Sequence, residues 1–401
     1  MRKQPLQLYD PLTGAAIPGN KYPTQPTFNA SALALYKYLP VAGSHGVASY
    51  DPNCGKVQYA IPGDVYDNQW VTRVDYSINS KHSLYGRYLF DGYQFPSFFF
   101  PNNILVTSLS PGQFQRVQTA VVGETWTINS HMVNSIHATG SKRVDVRASA
   151  AAIDSNDIGI TQYNQYTGFL QVSNSTSGRN HSWSTGCGTC SPGHFNLDNE
   201  GISDDLNIVK GPHQIDIGGE FIRIHFNEGA GYQADGAFNF SGIWSGSGPT
   251  GGTTLGDSNL DFLWGALGPA GATYAFSQSK EQQLALRGNV PSLYLEDTYH
   301  ATPRLTIVGG IRWSPEYMPV DYFNRGSTFD YASFIAGKTS SVYPNAPAGN
   351  FFYGDPGVTK QFTHNTPWQF NPTIGATFDP FDGGNTIIRR GFGVAYDFAN
   401  Y

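Results

Sequence analysis

The chain has 401 residues, of which 13% are charged and 14% aromatic, with 46 Gly, 25 Pro and a net charge of −6. That length leaves core size unrestricted, the Gly and Pro content excludes long helices in favour of strands and loops, and the charged share is too low for the surface of a soluble β-protein. A negative balance with no Lys/Arg cluster excludes nucleic acid as a partner, and no apolar run reaches the ~18 residues of a transmembrane helix.

The start, MRKQPLQLYDPLTG, has two basic residues with no apolar stretch behind them, so no signal peptide is visible and an export signal is expected outside the chain. Residues 1–68 are rich in Pro, Gly, Asn and Tyr without sustained periodicity and read as an irregular N-terminal loop segment. Regular β-structure is expected over 69–401. In WVTRVDYSIN, Trp70, Val74, Tyr76 and Ile78 share one face, while Arg73, Asp75, Ser77 and Asn79 share the other. Ser80, Lys81 and His82 make a turn, and SLYGRYLFD returns with Leu84, Gly86, Tyr88 and Phe90 on the apolar side.

The unit recurs. Arms at 114–128 and 133–147 flank NSHM, arms at 203–210 and 214–226 flank GPH, and arms at 284–300 and 304–314 flank ATP. A fifth pair, WQFNPTIGATFD and TIIRRGFGVAYD, flanks PFDGGN, which makes about ten strands. Between hairpins lie long polar stretches at 92–112, 148–202, 229–280 and 315–366. Connections therefore alternate short and long, so all short turns fall at one end of the sheet and all long loops at the other. A soluble sandwich has no reason to sort its loops this way, whereas a membrane barrel does. The expected fold is all-β: a transmembrane antiparallel β-barrel with short periplasmic turns and long extracellular loops, located in the bacterial outer membrane. Leu305, Ile307, Ile311 and Trp313 then face lipid, and Thr306 and Arg312 face the lumen. Arg390 alternates onto the lipid side near the short-turn end, where its stem can snorkel to headgroups. Trp70, Trp126, Tyr299, Trp313 and Trp368 sit near strand ends, as interfacial girdles do.

Several segments resemble, in order, the barrel of TonB-dependent outer-membrane receptors of the Oar-like type. They are YDPLTGAAIPGN (9–20), RVDYSINSKHSLYGRY (73–88), VKGPHQIDIGGEF (209–221), FNFSG (238–242), LYLEDTYHATPRLTIVGGIRW (293–313), GDPGV (354–358) and NPTIGATFDPFDGGNTIIRRGFGVAYD (371–397). The resemblance implies a plugged barrel of about 22 strands that moves a ligand with energy from the inner membrane. It implies outer-membrane lipid and the TonB complex as partners, the latter through a plug domain. The sequence shows no plug-like domain, no energy-coupling box and only about ten strands, so the chain reads as a fragment of a receptor for a siderophore, glycan or peptide-like ligand. The alternative is a small surface-display or adhesive barrel without transport.

No catalytic constellation is present: there is no G-x-S-x-G elbow and no H-E-x-x-H, and SGSGPTGG (245–252) lacks the Lys and following helix of a phosphate loop. No enzyme, cofactor or metal is expected. Cys187 and Cys190, in CGTC, read as a local loop disulfide in an oxidising exterior, ahead of free thiols and of zinc with His181 and His194. LDNEGISDD (197–205) gathers four carboxylates that can hold Ca²⁺ or, more simply, form a solvated acidic loop. Tyr163, Tyr166, Phe169, Trp183 and Tyr232 can form a ligand platform at the outer mouth, or pack on each other to fold the loops.

Overall fold

The computed structural model describes residues 7–53, 55–148, 152–175, 182–186, 191–247, 256–268, 275–361 and 364–397. Its principal feature is a ten-strand antiparallel meander: β1 (Tyr66–Ser77), β2 (His82–Phe95), β3 (Gln113–Asn129), β4 (Met132–Arg147), β5 (Gly193–Lys210), β6 (His213–Ala230), β7 (Gln282–Thr302), β8 (Leu305–Trp313), β9 (Phe370–Phe378) and β10 (Ile388–Gly393). Each strand pairs with its sequence neighbour, and the two-residue strand Val320–Asp321 adds to the side of β7. The edge strands β1 and β10 do not pair with each other among the described residues, so the sheet is open. The short connections are 78–81, 130–131, 211–212, 303–304 and 379–387, all at one end, and 96–112, 148–192, 231–281 and 314–369 all lie at the other.

Register makes the two faces continuous. On one, Trp70 opposes Phe90, Ile217 opposes both Leu206 and Leu295, Leu295 opposes Ile311, and Ile374 opposes Gly309 and Phe392. Because direct cross-strand partners share a face, this side is an apolar band across all ten strands. The other side carries Arg73, Asp75, Ser135, His137, Asp205, Asp216, Glu296, Thr306, Arg312 and Thr373. A one-residue slip would exchange the two sets, so the alternation fixes the register.

Five strands are far longer than the ~9–11 residues that cross a bilayer: β3 has 17 residues, β4 has 16, β5 and β6 have 18 each and β7 has 21. On β6 the apolar face runs through Ile215, Ile217 and Phe221 and then turns polar at Arg223 and His225. Beyond that point no hydrocarbon selects for apolar side chains, which is why the repeat fades in sequence while the hydrogen bonding continues. This corrects the reading of 197–205 as an acidic loop: it lies within β5, flanked by β4 and β6. There Asp198, Glu200 and Asp204 point to one face and Asp205 to the other, so the four carboxylates do not converge.

The long connections are not solvated polar stretches either. Together with residues 7–61, the described parts of the connections at 96–112, 148–192 and 231–281 fold into a second unit at their end of the sheet. Within residues 7–61 lie a helix, Ala30–Tyr36, and a hairpin, Val47–Asp51 with Lys56–Tyr59, too short to leave a period in the sequence. Asn29 caps the helix by accepting from the N–H groups of Ser31 and Ala32 at 3.0 and 3.1 Å. A four-stranded sheet orders Phe276–Ser277, Ala237–Phe240, Gln171–Asn174 and Trp183–Thr185, the middle two parallel. Helix Ser258–Trp264 starts on the Asp257 cap and stops at left-handed Gly265. One buried cluster joins them: Ala32, Leu35, Ile104, Ile158, Val172, Phe240 and Phe262 come from four separate segments.

Candidate ligand-binding mouth and polar wall

The polar face is internally bonded. Arg73 holds Asp75 at 2.7 Å and lies 4.3 Å from the centre of the Tyr85 ring. Tyr294 donates to Asp205 at 2.6 Å, Asn207 donates to Asp216, and Arg312 Nη2 donates to Ser292 at 2.8 Å. Side chains that pair in this way along ladder positions form a wetted or protein-covered wall, because unpaired they would carry a large desolvation cost in hydrocarbon.

On the opposite face Leu305, Ile307, Ile311 and Trp313 lie together on β8, with Ile311 and its partner Leu295 both exposed. Trp313 Nε1 donates to the Pro367 carbonyl at 2.8 Å, at the long-loop end. Trp126 and Tyr299 lie on the same face at the short-turn end, so rings border the band at both ends. Arg390 opposes Ala376 on this face, within the three residues that follow the last short connection.

The long connections are organised by buried carboxylates. Asp235 Oδ1 accepts the N–H groups of Gln165 and Tyr166 at 2.5 and 2.8 Å, and burial raises its carboxyl pKa. Asp261 is fully buried and accepts from Trp244 and Ser245 N–H at 3.1 and 2.8 Å; burial outweighs these bonds and pushes it up to about 6. Asp321 holds Arg325 by two side-chain bonds of 3.0 and 2.8 Å and is lowered to about 2: the Arg325 bonds dominate, against a smaller opposing effect of burial. Asp355 accepts from both Ser340 and Ser341 hydroxyls, and these bonds with backbone N–H groups overcome burial and hold its carboxyl below the usual range. Each carboxylate ties chain segments that carry no repeating pattern, so the sequence marks them only as polar loop residues.

Of the five loop aromatics, Trp183 packs into the cluster 5.0 Å from Phe262 and donates Nε1–H to Asn259 at 3.0 Å. Tyr166 and Phe169 meet edge to face at 6.0 Å. Tyr163 and Tyr232 are exposed, on two turns that Gln278 ties together through the carbonyls of Tyr163 and Ala234. A cavity of about 190 Å³ opens beside the cluster, lined by Leu35, Ile158, Val172, Phe238, Phe240 and Phe262 with Asn29 and Ser31 at its polar side. Cys187, Cys190 and His181 lie outside the described residues, as does 248–252 of SGSGPTGG, whose Ser245–Ser247 end a short helix. Among the described residues no group of three or more His, Cys, Asp or Glu can hold a metal ion, and no helix is long and apolar enough to cross a membrane.

The family profile described as outer membrane beta barrel domain matches residues 1–401. Among solved structures, the chain is similar to the outer membrane transporter YddB from Escherichia coli, at 10% identity and a TM-score of 0.42, over 86% of this chain and 34% of that one. It is similar to the copper transporter OprC at 8% and 0.43, over 88% and 39%. It is also similar to the siderophore receptor PiuA from Acinetobacter baumannii at 13% and 0.40, over 80% and 41%. The chain thus spans between about a third and two fifths of the lengths of these structures. No curated protein shows significant sequence similarity.

Proposed function

We infer that this chain, which belongs to the outer-membrane β-barrel domain family and resides in the bacterial outer membrane, forms part of the wall and outer mouth of a TonB-dependent transporter. The observation that carries this reading is the open sheet: ten strands with a charged inner face and two edges that do not pair with each other among the described residues. Closed on themselves, ten strands would leave an interior little wider than their own side chains fill. Left open in lipid, each unpaired backbone group on β1 and β10 would cost several kcal/mol. Further strands that complete a wider ring resolve both problems and give Arg73, Asp75, Glu296 and Arg312 a plug or water to face.

In this role the chain is not an enzyme and uses no cofactor. Its partners are outer-membrane lipid, the TonB complex reached through a plug domain, and a ligand of the siderophore, glycan or peptide class met first at the mouth. The Oar-like type is the specific family branch that the ordered sequence segments support. One observation favours the display alternative: the loop-built unit has a buried core of its own. Uptake by cells carrying the intact gene separates the two. Accumulation of one labelled ferric siderophore, glycan or peptide should be lost on gene disruption and on addition of a protonophore. Accumulation unchanged by gene disruption, together with loss of surface adhesion in the disrupted strain, would establish the display barrel instead.

A further inference from the structure

The short-turn rim carries one construction twice on its lipid face. His82 opens β2 opposite Trp126, its ring stacked on the indole with centroids 5.5 Å apart and planes 15° apart. Its Nδ1 lies 2.6 Å from Oε1 of Glu124, two residues before Trp126 on β3. His213 opens β6 opposite Tyr299, with ring centroids 4.5 Å apart and planes at 14°. Its Nδ1 lies 2.7 Å from Oδ2 of Asp297, again two residues before the aromatic. A lysine accompanies each histidine: Lys81 precedes His82, and Lys210 is the direct cross-strand partner of His213.

The side chains are half exposed on a surface that meets lipid, at 31% and 35% for His82 and Glu124 and at 41% and 36% for His213 and Asp297. A carboxylate only accepts, so Nδ1 of each ring carries a proton; when Nε2 is protonated as well, its N–H points away from the pair and is free to donate. With both ring nitrogens protonated, lysine, imidazolium and carboxylate sum to one positive charge at each place. Apolar side chains adjoin both: Leu84 beside the first, Ile208 and Ile215 beside the second. A cationic donor pair, a ring at the membrane boundary and an apolar track above it match the phosphate monoanion, the headgroup level and the acyl chains of one amphiphile.

We propose that each His–carboxylate–aromatic cluster, His82–Glu124–Trp126 and His213–Asp297–Tyr299, binds the phosphate of a phospholipid in the periplasmic leaflet, with Lys81 and Lys210 as second donors. The carboxylate is a positioning residue that orients the imidazole, and the aromatic ring holds it flat against the barrel wall. The other short turns lack the set: His131 Nδ1 bonds the neighbouring Ser130 hydroxyl at 2.9 Å, and Arg304 faces Asp382 at 3.7 Å. The inference needs only the membrane orientation and is independent of whether the barrel transports.

The intact outer-membrane protein, purified in non-ionic detergent and mixed with phosphatidylglycerol or with diacylglycerol of the same chains, gives the test by native mass spectrometry. The wild type should retain two phospholipids, H82Q or H213Q one, and the H82Q/H213Q double variant none, while diacylglycerol is lost from all of them. K210Q, at a strand end where folding is undisturbed, should weaken retention at the second place only, and unchanged uptake in these variants would keep this question apart from transport. Two phospholipids on the double variant, or diacylglycerol held as well as phosphatidylglycerol, would overturn the proposal.

Discussion

Ile307 and Thr306 are neighbours in the chain and belong to opposite surfaces. Ile307 stands between Tyr299 and Ala376 on the apolar face, whereas Thr306 stands between His300 and Thr377 on the polar one, its hydroxyl 3.1 Å from His300 Nδ1. If the apolar face meets lipid, as we propose, one step along β8 crosses from lipid to lumen. Ile307→Arg should cost about 2–4 kcal/mol if this position lies near the bilayer midplane, and Thr306→Arg should cost little, because a lumen wall already holds Arg312 and Glu296. Urea titrations of the folded protein in lipid vesicles measure both, and equal losses at the two positions would mean that the faces are misassigned.

Phe262 is the hub of the loop-built unit. It is 3% exposed and meets Trp183, Phe240 and Tyr36 at 5.0, 5.4 and 6.3 Å. Phe262→Ala should destabilise that unit by about 3–5 kcal/mol through lost burial and an unfilled cavity. The ladder of β5 and β6 shares none of these contacts and should keep its protection. Hydrogen exchange resolved by segment checks this: amides of 171–174 and 258–264 should exchange faster while those of 202–222 stay unchanged.

The sheet was legible in the sequence because hydrocarbon enforces a period of two on every spanning strand, so Trp70, Leu295, Ile311 and Phe392 announce one face without any knowledge of their neighbours. The sorted connections followed from the spacing of turns alone. The unit above the membrane was not legible. Its core takes one or two apolar residues from each of several distant segments, Leu35, Ile104, Val172, Phe240 and Phe262, and no window of sequence contains a period. The upper half of β5 was lost for a related reason, since Asp198 and Glu200 lie above the band and nothing there requires an apolar side chain. The His82 and His213 clusters had a visible trace, a lysine shortly before each histidine at a turn, but only register shows which carboxylate and which ring lie opposite.

Asp321 and Arg325 fasten the connection after β8 to β7. Asp321 Oδ1 also accepts the buried Ala285 N–H at 3.0 Å, so removing the carboxylate leaves that donor unsatisfied. Asp321→Ala should cost about 1–3 kcal/mol locally. Arg325→Ala should cost less than about 1 kcal/mol, because that side chain is partly exposed and screened. The Asp321 carboxyl is lowered to about 2, so the stability it contributes is present above its ordinary value of 3.8 and is lost as pH falls through about 2. Limited proteolysis within 314–330 should therefore speed up in the Asp321 variant at pH 7, and a rate equal to that of the wild type would show that the pair does not hold the connection.

Asp261 gives the loop-built unit a pH dependence opposite in sign to that of Asp321. Burial raises its carboxyl to about 6, against hydrogen bonds from Ser245 and Trp244 that favour the charge. A group raised in the folded state stabilises fully below its unfolded value and loses that contribution as pH rises through the folded one. The loop-built unit should then be more stable at pH 4–5 than at pH 8, by about 2–3 kcal/mol at most for a shift of this size. Asp235, also raised by burial, acts in the same direction, so Asp261→Asn should flatten most of the slope and leave a smaller remainder. Asp321 and Asp355 are both lowered and titrate below this window, so neither imitates the effect. Protection factors of amides 243–247 and 258–264, corrected for intrinsic exchange and followed from pH 4 to pH 8, should fall with pH in the wild type and change little in Asp261→Asn. A wild-type profile that is flat or rises across this range would mean that the two N–H bonds outweigh burial and that Asp261 is ionised throughout.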